Sequence, residues 1–318
     1  MNFKKPKFWD LKRPNFLAYL LYPFTIILEI NNVISNVIPK KKFTEIKTIC
    51  VGNLYIGGTG KTPTSLFLYN LLKKNNINPV IAKKFYKNQI DEQKFLKDNS
   101  NFISLSDREK IVKKAIEMKF DMVIFDDGLQ EKWINYDIKF ACFDSEKWIG
   151  NGHLIPSGPL REKMNALKNY HGIFLKTVND DSNLDYIYNK IREINPNIEV
   201  FESNIEIKNI SKFNIDRNYI IFSGIGNPDS FKKLLLKNKF KIIEEITFPD
   251  HYNYQDKDIL KIIDKANSNN AEIITTEKDF KRIPQNFKEK ISFLEINMKI
   301  KDENKLVQFL KTKINEIN

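Results

Sequence analysis

The segment that most restricts the fold is Ile46-Lys-Thr-Ile-Cys-Val-Gly-Asn53 with Gly57-Gly-Thr-Gly-Lys-Thr62 just behind it. An apolar run closed by a glycine-rich loop reads as a strand, and a helical pattern follows from about Lys61 to Asn75. Glycines let backbone amides approach an anion and adopt dihedrals closed to other residues. The helix that starts there aims its free N–H groups at the same point. Lys61 can reach β- and γ-phosphates, and the Thr62 hydroxyl can ligate Mg²⁺. Gly57, Gly58, Thr59, Gly60, Lys61 and Thr62 therefore read as a phosphate loop. The standard spacing would put Gly at position 55, where this chain has Tyr55. Gly57 and Gly58 supply the flexibility instead.

Strand and helix patterns alternate after this loop. Pro79 to Lys83, Asp121 to Asp126, Ile138 to Phe143 and Gly172 to Lys176 read as strands, with a helix near Asp107 to Met118. The alternation predicts an α/β fold, a P-loop NTPase-like, mainly parallel sheet flanked by helices. Ligands of such sheets collect at the carboxyl ends of the strands, where Gly52, Asp126, Asp127 and Asp144 fall. A second βα series begins at Tyr219-Ile-Ile-Phe-Ser and ends in a helix from about Glu303 to Ile314. The expected division is a P-loop domain over 1–200 and a second, smaller α/β domain over 201–318. The extended runs 200–207 and 291–299 can both serve as linkers.

The 52 Lys+Arg against 40 Asp+Glu give a formal charge of +12, which points to an anionic partner. No recognised nucleic-acid motif accompanies that charge, so nucleic acid is not the expected partner. The two cysteines, Cys50 and Cys142, lie in apolar strand-like runs and form no CxxC pair. A disulfide framework is excluded on that pattern, and a zinc site is not expected.

An apolar run from Phe16 to Ile30 is flanked by Lys4, Lys5, Lys7, Lys12 and Arg13 before it and by Lys40, Lys41 and Lys42 after it. Pro23, Glu29, Asn31 and Asn32 interrupt it, and a spanning helix needs about 20 consecutive apolar residues. On a helix, Thr25, Glu29, Asn32 and Asn36 form one stripe, while Phe24, Ile27, Leu28, Ile34 and Ile38 lie elsewhere. Residues 16–38 thus read as an amphipathic helix. It suits an anionic membrane surface, and by periodicity alone it suits docking on the protein's own core equally well.

Asp126-Asp127-Gly128 follows four apolar strand residues. A P-loop enzyme places its Mg²⁺-side carboxylate there, and a second acid can deprotonate an acceptor hydroxyl. Of the three histidines, His251 lies in the polar aromatic loop Phe248-Pro-Asp-His-Tyr-Asn-Tyr254 and can share base duty with an Asp. Gly150-Asn-Gly-His-Leu-Ile-Pro-Ser-Gly-Pro-Leu-Arg-Glu162 is a long loop on the active edge, where Arg161 can clamp a phosphate.

Together these blocks resemble the tetraacyldisaccharide 4'-kinase family. The resemblance rests on Val51-Gly-Asn-Leu with Gly57-Gly-Thr-Gly-Lys-Thr-Pro63, on Asp126-Asp-Gly-Leu-Gln130, and on Gly150-Asn-Gly with Pro156-Ser-Gly-Pro-Leu-Arg-Glu162. It continues through Gly224-Ile-Gly-Asn-Pro228, Phe248-Pro-Asp-His251 and Thr275-Thr-Glu-Lys-Asp279. It implies phosphoryl transfer from MgATP to the 4'-hydroxyl of a tetraacyldisaccharide 1-phosphate, a lipid A precursor. It also implies a peripheral place on the cytoplasmic face of the bacterial inner membrane, two α/β/α domains with the nucleotide in their cleft, and no obligate protein partner. By motif position, Asp126 would be the base, paired with His251, and Asp127 would assist the metal beside Thr62. Strand geometry alone would equally make Asp126 the metal acid. Arg161 and Asn151 would meet substrate. Two places depart from the family pattern. Lys84-Phe-Tyr-Lys87 stands where Arg-Gly-Tyr-Gly is usual, and Glu131 stands where His commonly follows. The competing reading is a membrane-associated regulatory P-loop ATPase that phosphorylates no lipid.

Overall fold

The computed structural model describes residues 5–86, 89–131, 133–177, 183–250 and 252–316. The N-terminal segment forms α1 (Phe16–Leu21) and α2 (Thr25–Val37), joined by a tight turn at Tyr22–Phe24. The alternating series follows: β1 (Lys47–Gly52), α3 (Lys61–Lys74), β2 (Pro79–Lys84), α4 (Ile90–Asn99), β3 (Phe102–Leu105), α5 (Arg108–Glu117), β4 (Met122–Asp126), β5 (Ile138–Asp144), β6 (Gly172–Lys176), α6 (Leu184–Ile194) and β7 (Glu199–Ile207). The second series is β8 (Asn218–Ser223), α7 (Pro228–Lys237), β9 (Lys241–Thr247), α8 (Asp256–Ser268), β10 (Ala271–Thr276), α9 (Glu277–Phe280), β11 (Ser292–Leu294), β12 (Ile296–Ile300) and α10 (Glu303–Glu316).

One sheet runs β12-β7-β6-β5-β1-β4-β2-β3, and it is parallel from β7 to β3. The other runs β11-β10-β8-β9 and is parallel throughout. The centre of β1 is apolar because helices cover both faces of a parallel sheet. Its Ile49, Cys50 and Val51 are fully buried between β5 and β4. Its central position puts the glycine-rich loop at the middle of the carboxyl edge. α5 starts at Asp107, whose side chain accepts from the Glu109 and Lys110 backbone amides.

The chain divides into two compact units. The larger comprises 5–85, 96–204 and 298–318, and the smaller comprises 86–95 and 205–297. The chain passes from one to the other within β7 and β12, inside the two extended runs. The expected single cut near residue 200 assigned everything beyond it to the smaller domain. Residues 298–318 instead group with the larger unit, because α10 buries Leu306 and Leu310 and sets Phe309 against Phe140 and Phe201, at ring separations of 5.8 and 5.4 Å. The excursion 86–95 is held in the smaller unit by Glu92, 2.6 Å from Lys278. Periodicity alone had not marked α4, β3 or β9.

α1 buries Ala18, and α2 docks by its polar stripe and by Leu28, which packs on the core. Thr25 is buried, Glu29 pairs with Lys163 at 2.8 Å, and Asn32 Nδ2 donates to the Arg161 carbonyl at 3.0 Å. The Asn36 side chain lies outside the described residues. The other face is open: Phe16, Tyr19, Leu20, Phe24, Ile27, Ile30, Val33 and Val37 are all exposed. By length and composition, Phe16–Ile34 is apolar enough to cross a membrane, with mean hydropathy 1.5.

Candidate active site

The loop after β1 closes on α3 through Gly60, whose φ of 89° caps the helix in a conformation other residues avoid. Thr64 Nα and Oγ1 both bond the Gly60 carbonyl, at 3.0 and 2.9 Å, so the first turn is tight. Lys61 Nζ donates to Asn53 Oδ1 at 3.1 Å and pairs with Asp127 Oδ2 at 3.5 Å. Tyr55, at the position where glycine is standard, is buried. Its hydroxyl donates to Asp10 and accepts from Lys5. The larger side chain therefore ties the loop to the N-terminal segment.

The two adjacent acids face different surroundings. Asp126 ends β4 and is fully buried. Its Oδ2 accepts from Thr62 Oγ1 at 3.3 Å and from Lys83 Nζ at 2.9 Å, and its Oδ1 accepts from Ser65 Oγ at 3.2 Å. Asp127 sits at φ 65°, with its amide bonded to the Val51 carbonyl at 2.8 Å. That left-handed turn sends the second carboxylate away from the first. It lies between Lys61 and Arg161 Nη1, the latter 3.0 Å from Oδ1. Burial alone would raise its pKa, but Lys61, Arg161 and Lys83 outweigh it and hold the group down to about 2. Gly128 follows because a Cβ there would meet the Tyr136 hydroxyl at 2.8 Å and Cys50 Sγ at 3.1 Å.

The long loop reaches this point by strand-like pairing. Ile56 Nα donates to the Pro159 carbonyl at 2.8 Å, and Arg161 Nα donates to the Leu54 carbonyl at 2.7 Å. Those bonds deliver the Arg161 guanidinium to Asp127 and to Gln130 Oε1, at 3.2 Å. Gln130 Nε2 in turn donates to Asn53 O at 3.1 Å and to Glu162 Oε1 at 2.7 Å. Burial pushes the Glu162 carboxyl up, against the bonds from Gln130 and Tyr170. Asn151, expected on substrate, is buried inside the loop. Its amide donates to Ser157 O at 3.0 Å and Phe8 O at 3.5 Å, and its Oδ1 accepts from His153 Nα at 3.1 Å. Its polar atoms serve the loop's own shape, and a substrate contact at Asn151 rests on the resemblance alone.

The structure brings Lys61, Thr62, Asp126, Asp127 and Arg161 together. His251 lies outside the described residues, and so does Lys87. His153 bonds Ser157 Oγ at 2.8 Å and His171 Nδ1 accepts from Lys139 Nα at 3.0 Å, so both serve the scaffold. Four site residues were not foreseen: Lys83, Arg108, Gln130 and Glu162. Arg108 binds Glu131 Oε2 and the Asp127 carbonyl, each at 2.6 Å. Glu131, where the family pattern has His, is thereby an anchor for a neighbouring arginine. A lysine inside the apolar run Pro79-Val-Ile-Ala-Lys83 was the available signal for Lys83. Ala82 pairs with Phe125, which sets Lys83 beside Asp126.

The family model for tetraacyldisaccharide-1-P 4'-kinase matches residues 16–315. The chain belongs to the tetraacyldisaccharide 4'-kinase family. A relative named tetraacyldisaccharide 4'-kinase from Pelagibacter ubique (strain HTCC1062) is 46% identical over 320 residues, covering 100% of both chains. One of the same name from Rickettsia bellii (strain OSU 85-389) is 33% identical, over 95% of this chain and 96% of its own. The fold matches that of LpxK from Aquifex aeolicus, a structure described as a complex with ATP, at TM-score 0.70 and 23% identity, over 94% and 99% of the two chains. The kinase family and this structural likeness agree with the P-loop sheet read from the residues.

Proposed function

We propose that this chain is a lipid kinase that transfers the γ-phosphate of ATP to the 4'-hydroxyl of a tetraacyldisaccharide 1-phosphate in lipid A biosynthesis. The observation that carries the reading is the convergence of Lys61, Thr62, Asp126, Asp127 and Arg161 at the phosphate loop of a chain matched to this family from 16 to 315. The family match disfavours a regulatory ATPase that leaves lipid untouched.

Phosphoryl transfer depends on positioning and on charge neutralisation at the phosphate oxygens. The amides of Gly57 to Gly60 and the start of α3 cradle the phosphates, and Lys61 neutralises them. Thr62 Oγ1 and Asp126 Oδ2, 3.3 Å apart, are the oxygen donors that would hold a hard divalent cation, in competition with the Lys83 ammonium that stands 2.9 Å from the same Oδ2. Mg²⁺ bound there would add charge neutralisation across the β- and γ-phosphates. On that ground we put Asp126 on the metal side with Thr62, the alternative that strand geometry left open, where the resemblance had suggested Asp127. Asp127 then faces the acceptor. Lys61 and Arg161 hold it ionised, and phosphates bound beside them would share those two charges. Asp127 thereby gains basicity only once the donor is in place. His251 keeps its proposed share of the proton transfer on the resemblance alone.

The exposed face of α1 and α2, flanked by basic residues, suits peripheral attachment to an anionic membrane, proposed here as the cytoplasmic face of the inner membrane. The test is transfer of ³²P from ATP to the lipid disaccharide by wild type, Lys61→Ala, Asp126→Asn, Asp127→Asn and His251→Ala. Full activity in Lys61→Ala would overturn the assignment of the phosphate loop.

A further inference from the structure

The N-terminal segment that includes α1 and α2 meets the loop that carries Arg161 through hydrogen bonds and an ion pair. Trp9 Nε1 donates to the Pro156 carbonyl at 3.0 Å, and Ser157 Oγ donates to the Ala18 carbonyl at 2.6 Å. Glu29 pairs with Lys163 at 2.8 Å, and Asn32 Nδ2 donates to the carbonyl of Arg161 itself at 3.0 Å. Among these contacts only the last falls on the residue whose guanidinium holds Asp127. On the far side of that residue, Arg161 Nα is tied to Leu54 O at the mouth of the phosphate loop. The peptide groups flanking the Arg161 Cα are thus gripped by α2 through the carbonyl and by the phosphate loop through the amide. A backbone held at both ends limits where the guanidinium can swing. Preorganised charge of this kind is worth most when it costs no rearrangement during reaction.

We propose that Asn32 is a positioning residue: from the amphipathic helix it fixes the Arg161 main chain, and through it the Arg161 guanidinium at the phosphates. The seating of α2 on the protein is then a determinant of nucleotide handling as well as of attachment. The residue spacing supports this. Thr25, Glu29 and Asn32 lie on one stripe and face inward, so uptake of the opposite apolar face by lipid leaves the Asn32 contact intact. Glu29 is the natural control, because it docks the same helix to Lys163, two residues beyond Arg161, without touching Arg161.

The inference rests on the kinase reading for its consequence but is measured separately, by MgATP binding to the full-length protein. The proteins compared are wild type, Asn32→Ala, Arg161→Ala, the double variant and Glu29→Ala. A hydrogen bond of ordinary strength predicts that Asn32→Ala weakens MgATP binding by up to about 10-fold. In the Arg161→Ala background the same change should have almost no further effect, because the group it positions is gone. Glu29→Ala should leave MgATP affinity within about 2-fold of wild type while lowering thermal stability by a similar amount to Asn32→Ala. Additive effects of Asn32→Ala and Arg161→Ala would overturn the proposal, and so would equal losses of affinity in Asn32→Ala and Glu29→Ala. If the cycle shows coupling but wild type transfers no phosphate to the lipid disaccharide, the kinase reading falls and the positioning role stands.

Discussion

Lys83 and Asp126 form a buried ion pair: Nζ stands 2.9 Å from Oδ2, and the side chains are 4% and 0% exposed. The hydroxyls of Thr62 and Ser65 complete the shell around that carboxylate. Removing one partner of such a pair strands the other charge away from water. Lys83→Met should therefore destabilise the protein by about 3–5 kcal/mol. The melting temperature should fall by roughly 10 °C. Adding Asp126→Asn should recover most of that loss, because no charge is then stranded. Calorimetry of the three proteins checks this, and a double variant no more stable than Lys83→Met would contradict it.

Asp127 links charge to acid stability. Its pKa is lowered to about 2 because Lys61 and Arg161 outweigh the opposing effect of burial. A carboxylate depressed in the folded state adds stability that is present above its unfolded pKa of roughly 3.9 and is lost as pH falls toward 2. The side chain is 24% exposed, and the whole contribution is of order 2 kcal/mol. Denaturant titrations of wild type and Asp127→Asn should diverge above pH 4 and converge between pH 4 and pH 2. Arg161→Ala should move that convergence to higher pH.

Lys61→Ala should lower kcat for transfer to lipid by roughly 10²–10³-fold, the usual cost of removing a preorganised charge donor from a transition state. Its melting temperature should change little, because Asp127 retains Arg161. Chelation of divalent cations by EDTA should abolish transfer by wild type. Both are read in the ³²P assay, and residual full turnover in either would remove the loop from the reaction.

The open face of α1 and α2 gives a prediction that leaves the site alone. Ile27 and Val33 are 73% and 63% exposed. Ile27→Asp with Val33→Asp should reduce flotation with anionic vesicles by at least about 10-fold, since each buried aliphatic side chain is worth roughly 1.5–3 kcal/mol. Substitutions at such exposed positions shift stability by only about 0.5 kcal/mol. Unchanged flotation would show that this face does not bind lipid.

What was legible in the chain was local. The phosphate loop, the acid pair at the end of β4 and the alternation of β1, α3 and β2 each occupy one short run, so spacing alone reveals them. Lys83 was missed because its partner lies 43 residues away and meets it only through the register of β2 on β4. Gln130 and Glu162, 32 residues apart, escaped for the same reason. Periodicity found the docked stripe of Thr25, Glu29 and Asn32 but set Leu28, which packs on the core, apart from it, and it offered membrane and core as alternatives for the helix. The structure uses both faces, one docked and one open. The return of α10 to the larger unit was hidden because an amphipathic helix does not disclose which sheet it covers. Asn151 sits in a motif that invites a substrate role, and its burial becomes visible only once the loop is folded around it.

The lacing of the first helices to the loop at 151–163 also sets an order of events during synthesis. Ala18 leaves the ribosome 139 residues before Ser157, its hydrogen-bond partner. At translation speeds of about 5–20 residues per second, that gap lasts roughly 7–28 s. Through that interval the polar stripe has no folded counterpart and the apolar face has nothing of its own chain to cover it. Any surface that takes up the nascent helix pair does so before Arg161 exists, so the loop that carries it closes onto a segment that has already found its place.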